Sequence, residues 1–103
     1  MYVLTNEQMR EADGYTVEKS GVPSITLMER AGIALADEAE RLAPAGEILC
    51  VCGGGNNGGD GFVCARILNG RGVETDVVSV AEKRSLECRE NYEKFVAAGG
   101  WVL

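Results

Sequence analysis

Ile48-Leu49-Cys50-Val51-Cys52-Gly53-Gly54-Gly55-Asn56-Asn57-Gly58-Gly59-Asp60-Gly61 is the stretch whose reading decides the fold. Its first five residues form a short apolar run closed by glycine, the mark of a buried strand, and strand one is expected from Glu47 to Cys52. The run is continuously apolar rather than alternating, which predicts a parallel strand covered on both faces. Phe62-Val63-Cys64-Ala65-Arg66-Ile67-Leu68 follows and reads as a helix. Strand, glycine-rich loop and helix form the junction at which α/β proteins place an anionic ligand. The helix start presents unpaired N–H groups and the positive end of its dipole. Glycine lets a ligand approach the main chain closely.

Downstream, Val73 to Val80 is predicted as strand two. Ser79-Val80-Ala81-Glu82 offers a capping box for the next helix, with Ser85 competing as the cap. That helix carries Cys88, Tyr92, Phe95 and Val96 on one side and ends at Gly99-Gly100. Trp101-Val102-Leu103 begins a third strand. Upstream, Ser24 is placed as the cap of a helix through about Leu42, ending before Pro44. Leu27, Met28, Ala31, Ala34, Leu35, Ala39 and Leu42 give it a buried stripe at three/four spacing, and Gly32 suggests close packing. Before that, Thr5 and Gln8 form a capping box, with Leu4 and Met9 as a hydrophobic staple. The first helix is expected to run to about Ser20 and end at Gly21, with a thin apolar side of Met9, Ala12 and Val17. Asp13 within it reads as a solvated or capping carboxylate. Two helices thus precede strand one. Alternating strands and helices mean a parallel sheet with right-handed crossovers. A chain that halts three residues into a strand reads as truncated, so an incomplete sheet, an exposed edge and self-association are expected.

The composition excludes several functions. With 103 residues the chain suffices for one small domain, and 46% hydrophobic content supports a packed core. A net charge of −6 without a basic stretch argues against nucleic acid. No apolar run is long enough to span a bilayer, and the N-terminus lacks a signal-peptide pattern, so the protein reads as cytoplasmic. There is no histidine, which removes imidazole catalysis and ligation. Cys50 and Cys52 fall on one face of the strand, and all four cysteines read as small core residues.

Gly53, Gly55 and Gly58 match the dinucleotide fingerprint Gly-x-Gly-x-x-Gly in the right context. The fingerprint also wants an acid near the end of strand two, where Ser79 or Val80 stands; Glu74 and Asp76 come too early. An ordinary NAD-dependent dehydrogenase is therefore a poor fit. A P-loop fails because no Lys-Ser/Thr follows. Asn56, Asn57 and Asp60 make the loop unusual. Two readings stand: turn residues with Asp60 as a helix cap, or oxygen ligands for a hard cation and for hydroxyl groups of a ligand.

Gly55-Asn56-Asn57-Gly58-Gly59-Asp60-Gly61 resembles the signature of the YjeF N-terminal family, the NAD(P)HX epimerases. Leu4-Thr5, Gln8-Met9 and Asp13 agree in order and spacing, as do Leu27-Met28-Glu29, Ala31-Gly32, Ala65-Arg66 and Leu68. The resemblance covers essentially the whole chain, 1–103, but only the first half of the family's domain. It implies a Rossmann-like three-layer α/β/α fold and the interconversion of R and S epimers of hydrated NADH and NADPH. A partner dehydratase, often fused behind the epimerase in bacteria, would then restore the cofactor. Asn56, Asn57, Gly58, Gly59 and Asp60 would bind the hydrated nucleotide, and Asn57 would contribute to a potassium site. The family's acid–base Asp, in a Pro-Ser-Gly context, would lie beyond residue 103. The same domain also resembles non-catalytic scaffold modules, which stand as the alternative.

Overall fold

Tyr2-Val3-Leu4 forms a strand, β1, and this corrects the expectation that two helices precede the first strand. The computed structural model describes residues 1–15, 21–43 and 46–103, the side chains of 12–15 excepted. The elements that follow are α1 (Asn6–Tyr15), α2 (Ser24–Leu42), β2 (Ile48–Cys52), α3 (Asn56–Gly70), β3 (Thr75–Ser79) and α4 (Leu86–Ala97). Residues 16–20, over which helix one was expected to continue, lie outside the described residues. So do Pro44 and the side chains of Ala12, Asp13 and Val17.

The sheet order is β1-β2-β3, all parallel. Val102 adds a parallel bridge to Val77, so the final residues start the next position in the same direction. Strands thus follow one another in space as they do in sequence. Right-handed crossovers between such strands all lie on one face of the sheet. The burial pattern agrees. Leu4, Ile48, Cys50, Cys52 and Val77 join one core cluster with Met9 of α1, Leu35, Ala36 and Ala39 of α2, Phe62, Cys64, Ala65 and Leu68 of α3, and Cys88 and Phe95 of α4. The alternate residues Leu49, Val51, Asp76 and Val78 are half-buried, and Val3 is 41% exposed. The described residues therefore supply two of the three layers expected: helices and sheet. The continuous apolar run of β2 is covered fully on one face only.

α3 is the central helix, packed against β2, β3 and all three other helices. Small residues permit this. A Cβ on Gly32 of α2 would overlap Val63, and one on Gly61 would meet Cys52 Sγ and the Met9 thioether. Phe62 anchors the middle, its ring edge-on to Tyr92 at 5.5 Å and tilted to Phe95 at 6.0 Å.

The capping box at α1 forms as read: Thr5 N donates to Gln8 Oε1 (2.8 Å), and Gln8 N to Thr5 Oγ1 (3.4 Å). Leu4 and Met9 are both buried beside it. Ser24 does not cap α2. Pro23 holds that position, and the Ser24 hydroxyl donates to Glu87 Oε1 (3.2 Å), tying the starts of α2 and α4 together. At α4 the competition falls to Ser85, whose hydroxyl accepts from Cys88 N (3.2 Å). Cys88 and Phe95 face the core as expected, but Val96 is 45% exposed and Asn91 takes the inward place, donating to Glu87 O (3.2 Å). Gly99 closes the helix with φ +93°.

All four cysteines are free and buried, as core residues should be. Burial pushes the Cys52 thiol well above the usual range, with Cys50 and Cys88 adding to it. The side-chain hydrogen bond with Cys50, then burial, pushes Cys64 up likewise.

Candidate functional site

The chain leaves β2 at Cys52 through Gly53, Gly54 and Gly55 and enters α3 at Asn56. Asn56 through Asp60, read as loop, are thus the first residues of the helix. Their glycines hide the helix from propensity, since glycine disfavours a helix interior by about 1 kcal/mol relative to alanine. Packing outweighs that preference. A Cβ on Gly58 would overlap the Gly53 carbonyl oxygen, and one on Gly59 would overlap the Met28 thioether. Both glycines let α3 start tight against the strand end.

The five residues expected to bind substrate fall into two groups. Asn56 is exposed and Asn57 half-buried at the open end of the helix. Gly58, Gly59 and Asp60 are buried behind them, Asp60 at 0% exposure. Asp60 is the fifth residue of α3, and the cap position belongs to Gly55. The capping reading of Asp60 is therefore set aside. Its carboxylate lies near enough to Cys88 to raise that thiol, after burial has done so and against the Arg84 guanidinium, which lowers it.

Gly55 has an extended backbone, φ −85° and ψ −168°, that any residue can adopt. A Cβ there would meet nothing within 4 Å. Neither strain nor packing among the described residues calls for glycine at this position. The open space lies at the N-terminus of a 15-residue helix, the end at which the first N–H groups have no partner within the helix.

A second loop, Val80 to Ser85, folds back on this junction. Val80 N donates to Cys52 O (2.9 Å) and Ser85 N to Gly54 O (2.8 Å). The Ser85 hydroxyl donates to Asn56 Oδ1 (2.9 Å). A Cβ on Gly54 would overlap the Lys83 carbonyl oxygen, so glycine is required for the two loops to meet. Arg84 lies within the pair. One terminal nitrogen donates to Ser79 Oγ (3.1 Å), and its guanidinium carbon stands 3.9 Å from the Tyr92 ring centroid and 5.6 Å from that of Phe62. From the other side, the Asn6 side chain of α1 approaches Gly53. Sequence reasoning missed Asn6, Arg84 and Ser85 as neighbours of the glycines. One signal was available: Lys83-Arg84 is the only pair of adjacent cations in a chain of net charge −6.

The oxygens that the junction could offer a cation are the Asn57 amide and backbone carbonyls, and such donors would suit a hard ion. Among the described residues no group of three or more His, Cys, Asp or Glu is placed to hold a metal ion. No helix among them is long and apolar enough to cross a membrane.

A parallel α/β sheet with a glycine-rich strand–helix junction at the C-terminal edge of its strands defines a protein of the Rossmann-like class. The sequence profile of the family described as YjeF-related protein N-terminus matches residues 24–103, and the chain belongs to that family. It is 35% identical over 97 residues to an NAD(P)H-hydrate epimerase of Limosilactobacillus reuteri, covering 92% of this chain and 46% of that protein. It is 44% identical over 98 residues to the bifunctional NAD(P)H-hydrate repair enzyme Nnr of Thermanaerovibrio acidaminovorans, covering 94% of this chain and 19% of the relative. The crystal structure of the yeast protein ynu0 superposes with a TM-score of 0.73 at 26% identity, over all of this chain and 47% of the yeast one. The chain thus spans about half the length of the epimerases it matches, or less.

Proposed function

We propose that the chain is the N-terminal part of an NAD(P)H-hydrate epimerase, holding the hydrated nucleotide at the β2–α3 junction. The observation that carries this reading is the open cradle at Gly55. A helix N-terminus there is left accessible by a glycine that the fold itself does not need. Phosphate oxygens of the nucleotide would accept from the first N–H groups of α3, with Asn56 and Asn57 beside them. Gly58, Gly59 and Asp60 would shape the site from within. Their burial keeps the start of α3 fixed against β2, so the N–H groups are aimed before the ligand arrives.

Asn57 would supply one amide oxygen to a potassium ion, which contributes fixed positive charge beside the nucleotide when bound. Ser85 holds Asn56 in place, so that residue's amide nitrogen is left to face the ligand. The product epimer would pass to a dehydratase activity, as the bifunctional repair relatives suggest. The setting would be the cytoplasm. Self-association through the half-exposed sheet face would bury its apolar side chains.

The test is epimer equilibration and binding measured together. Hydrated NADPH of one epimer is incubated with the chain in potassium buffer, and the epimers are separated against the spontaneous background. Ligand-induced stabilisation is read from the melting temperature, because a ligand that binds only the folded state raises it. We expect a shift with hydrated NADPH that Asn57→Ala reduces. A folded chain that neither binds the hydrated nucleotide nor speeds equilibration overturns the proposal.

A further inference from the structure

In dinucleotide-binding α/β folds a residue about 20 positions beyond the glycines, at the end of the next strand, meets the adenosine ribose. A carboxylate there takes the 2′-hydroxyl, whereas a nearby arginine accommodates a 2′-phosphate. Here that strand end is Ser79, the last residue of β3. Its parallel partner is Cys52, directly before Gly53, so Ser79 and the glycine loop leave the sheet side by side. Neither carboxylate of this strand region stands at that position: Glu74 precedes β3 and Asp76 is its second residue.

Arg84, five residues further on, is bonded to this strand end instead. It is tied to Ser79 Oγ at 3.1 Å and stacked over Tyr92. Its Nε is enclosed and makes no hydrogen bond among the described residues. A guanidinium carries five N–H donors in a fixed fork, and the bond to Ser79 uses one. The next residue, Ser85, is bonded to both Gly54 and Asn56, which fixes the cation within the same loop cluster as the glycines. In a chain of net charge −6, a nucleotide's phosphates are otherwise repelled, so a local cation at the strand end decides how an additional phosphate is received.

We infer that Arg84, tied to Ser79 and seated on Tyr92 at the end of β3, makes the site prefer a hydrated nicotinamide nucleotide carrying a 2′-phosphate over one with a free 2′-hydroxyl. The inference rests on the proposed nucleotide site and adds its substrate preference. A guanidinium–phosphate contact of this kind is charge-assisted and geometrically specific.

The experiment measures dissociation constants of hydrated NADPH and hydrated NADH on the whole chain and its variants, each variant giving its own ratio. The unsubstituted chain should favour hydrated NADPH by about ten- to hundredfold. In Arg84→Ala the ratio should fall to about one, and Arg84→Lys, which keeps the charge and loses the fork, should lie between. Ser79→Asp should shift preference toward hydrated NADH by offering a carboxylate to the ribose. It also retains the aromatic stack, so it carries the test if Arg84→Ala fails to fold. Equal affinity for both nucleotides, or a ratio that survives Arg84→Ala, overturns the inference and leaves the nucleotide site standing. Failure of the folded chain to bind either one removes the site and the inference with it.

Discussion

The two faces of the sheet are built from neighbouring residues of the same strands, yet they meet different surroundings. Ile48, Cys50 and Cys52 are sealed under four helices, while Leu49 and Val51 between them are half-buried. The same alternation runs across the register, from Val3 through Leu49 to Asp76, and from Val51 to Val78. Trp101 and Leu103 flank this second face, 71% and 64% exposed. The difference teaches that apolar composition alone does not tell how a strand is covered. The order of the strands does, because crossovers all running one way put every helix on one side.

The largest effect should come from the centre of the sealed side. Phe62→Ala removes a ring packed between Tyr92, Phe95 and Arg84, and should cost about 3–5 kcal/mol in urea denaturation. A cost below about 1 kcal/mol would mean the helical layer is not packed as described. The sharper contrast lies between adjacent residues. Ile48→Ala should cost about 2–5 kcal/mol, as large-to-small core changes do, and Leu49→Ala no more than about 1 kcal/mol. Equal costs for the pair would break the comparison between faces.

Thiol chemistry probes the sealed face differently. The Cys52 and Cys64 thiols are raised in the folded state, so the folded chain binds more protons than the unfolded one once pH passes about 8.5. Their contribution to stability is complete below that pH and is lost above it, by up to about 1.4 kcal/mol per pH unit per thiol. Melting temperature should therefore be flat from pH 7 to 8.5 as far as these groups are concerned, and fall towards pH 10. A thiol reagent at pH 8 should label the folded chain far more slowly than the chain in denaturant. Rapid labelling of Cys52 or Cys64 in the folded chain would contradict the seal. Last and smallest, Ser85→Ala removes the α4 cap and the bond to Asn56, and should cost about 1 kcal/mol. Ser85→Asn, an equally good cap, should recover most of it; a substitution without effect would show that the two loops are not coupled through this hydroxyl.

Much of the fold was legible because short-range chemistry dictated it. The apolar stripe of α2, expected through about Leu42 and ending before Pro44, matched the observed helix Ser24–Leu42. The capping box of α1 formed as its residues required. β1 was missed because three residues carry no readable period, and because the adjacent capping box drew Leu4 into the helix signal. Its pairing with Ile48–Cys50 is a contact across more than 40 positions of sequence. The junction itself was legible, but its geometry was not. Whether Asn56 to Gly61 coil or curl depended on Gly53, Met28, Cys52 and Met9, residues that make room only for glycine. The cation at the strand end was hidden for the same reason: Arg84 gains its meaning from Ser79, Tyr92 and Gly54, which only folding assembles.

Strand order has a further consequence, for the time course of assembly. Each strand pairs with the one synthesised before it, so every new β-unit docks on a template already in place. A domain that folds during synthesis can then grow from its N-terminal edge without waiting for distant partners. The glycine-rich junction is an exception to this forward growth. Its loop emerges well before Ser85, the residue that latches Gly54 and Asn56. On the ribosome the junction is therefore framed by β2 and α3 first, and locked only when α4 begins to form.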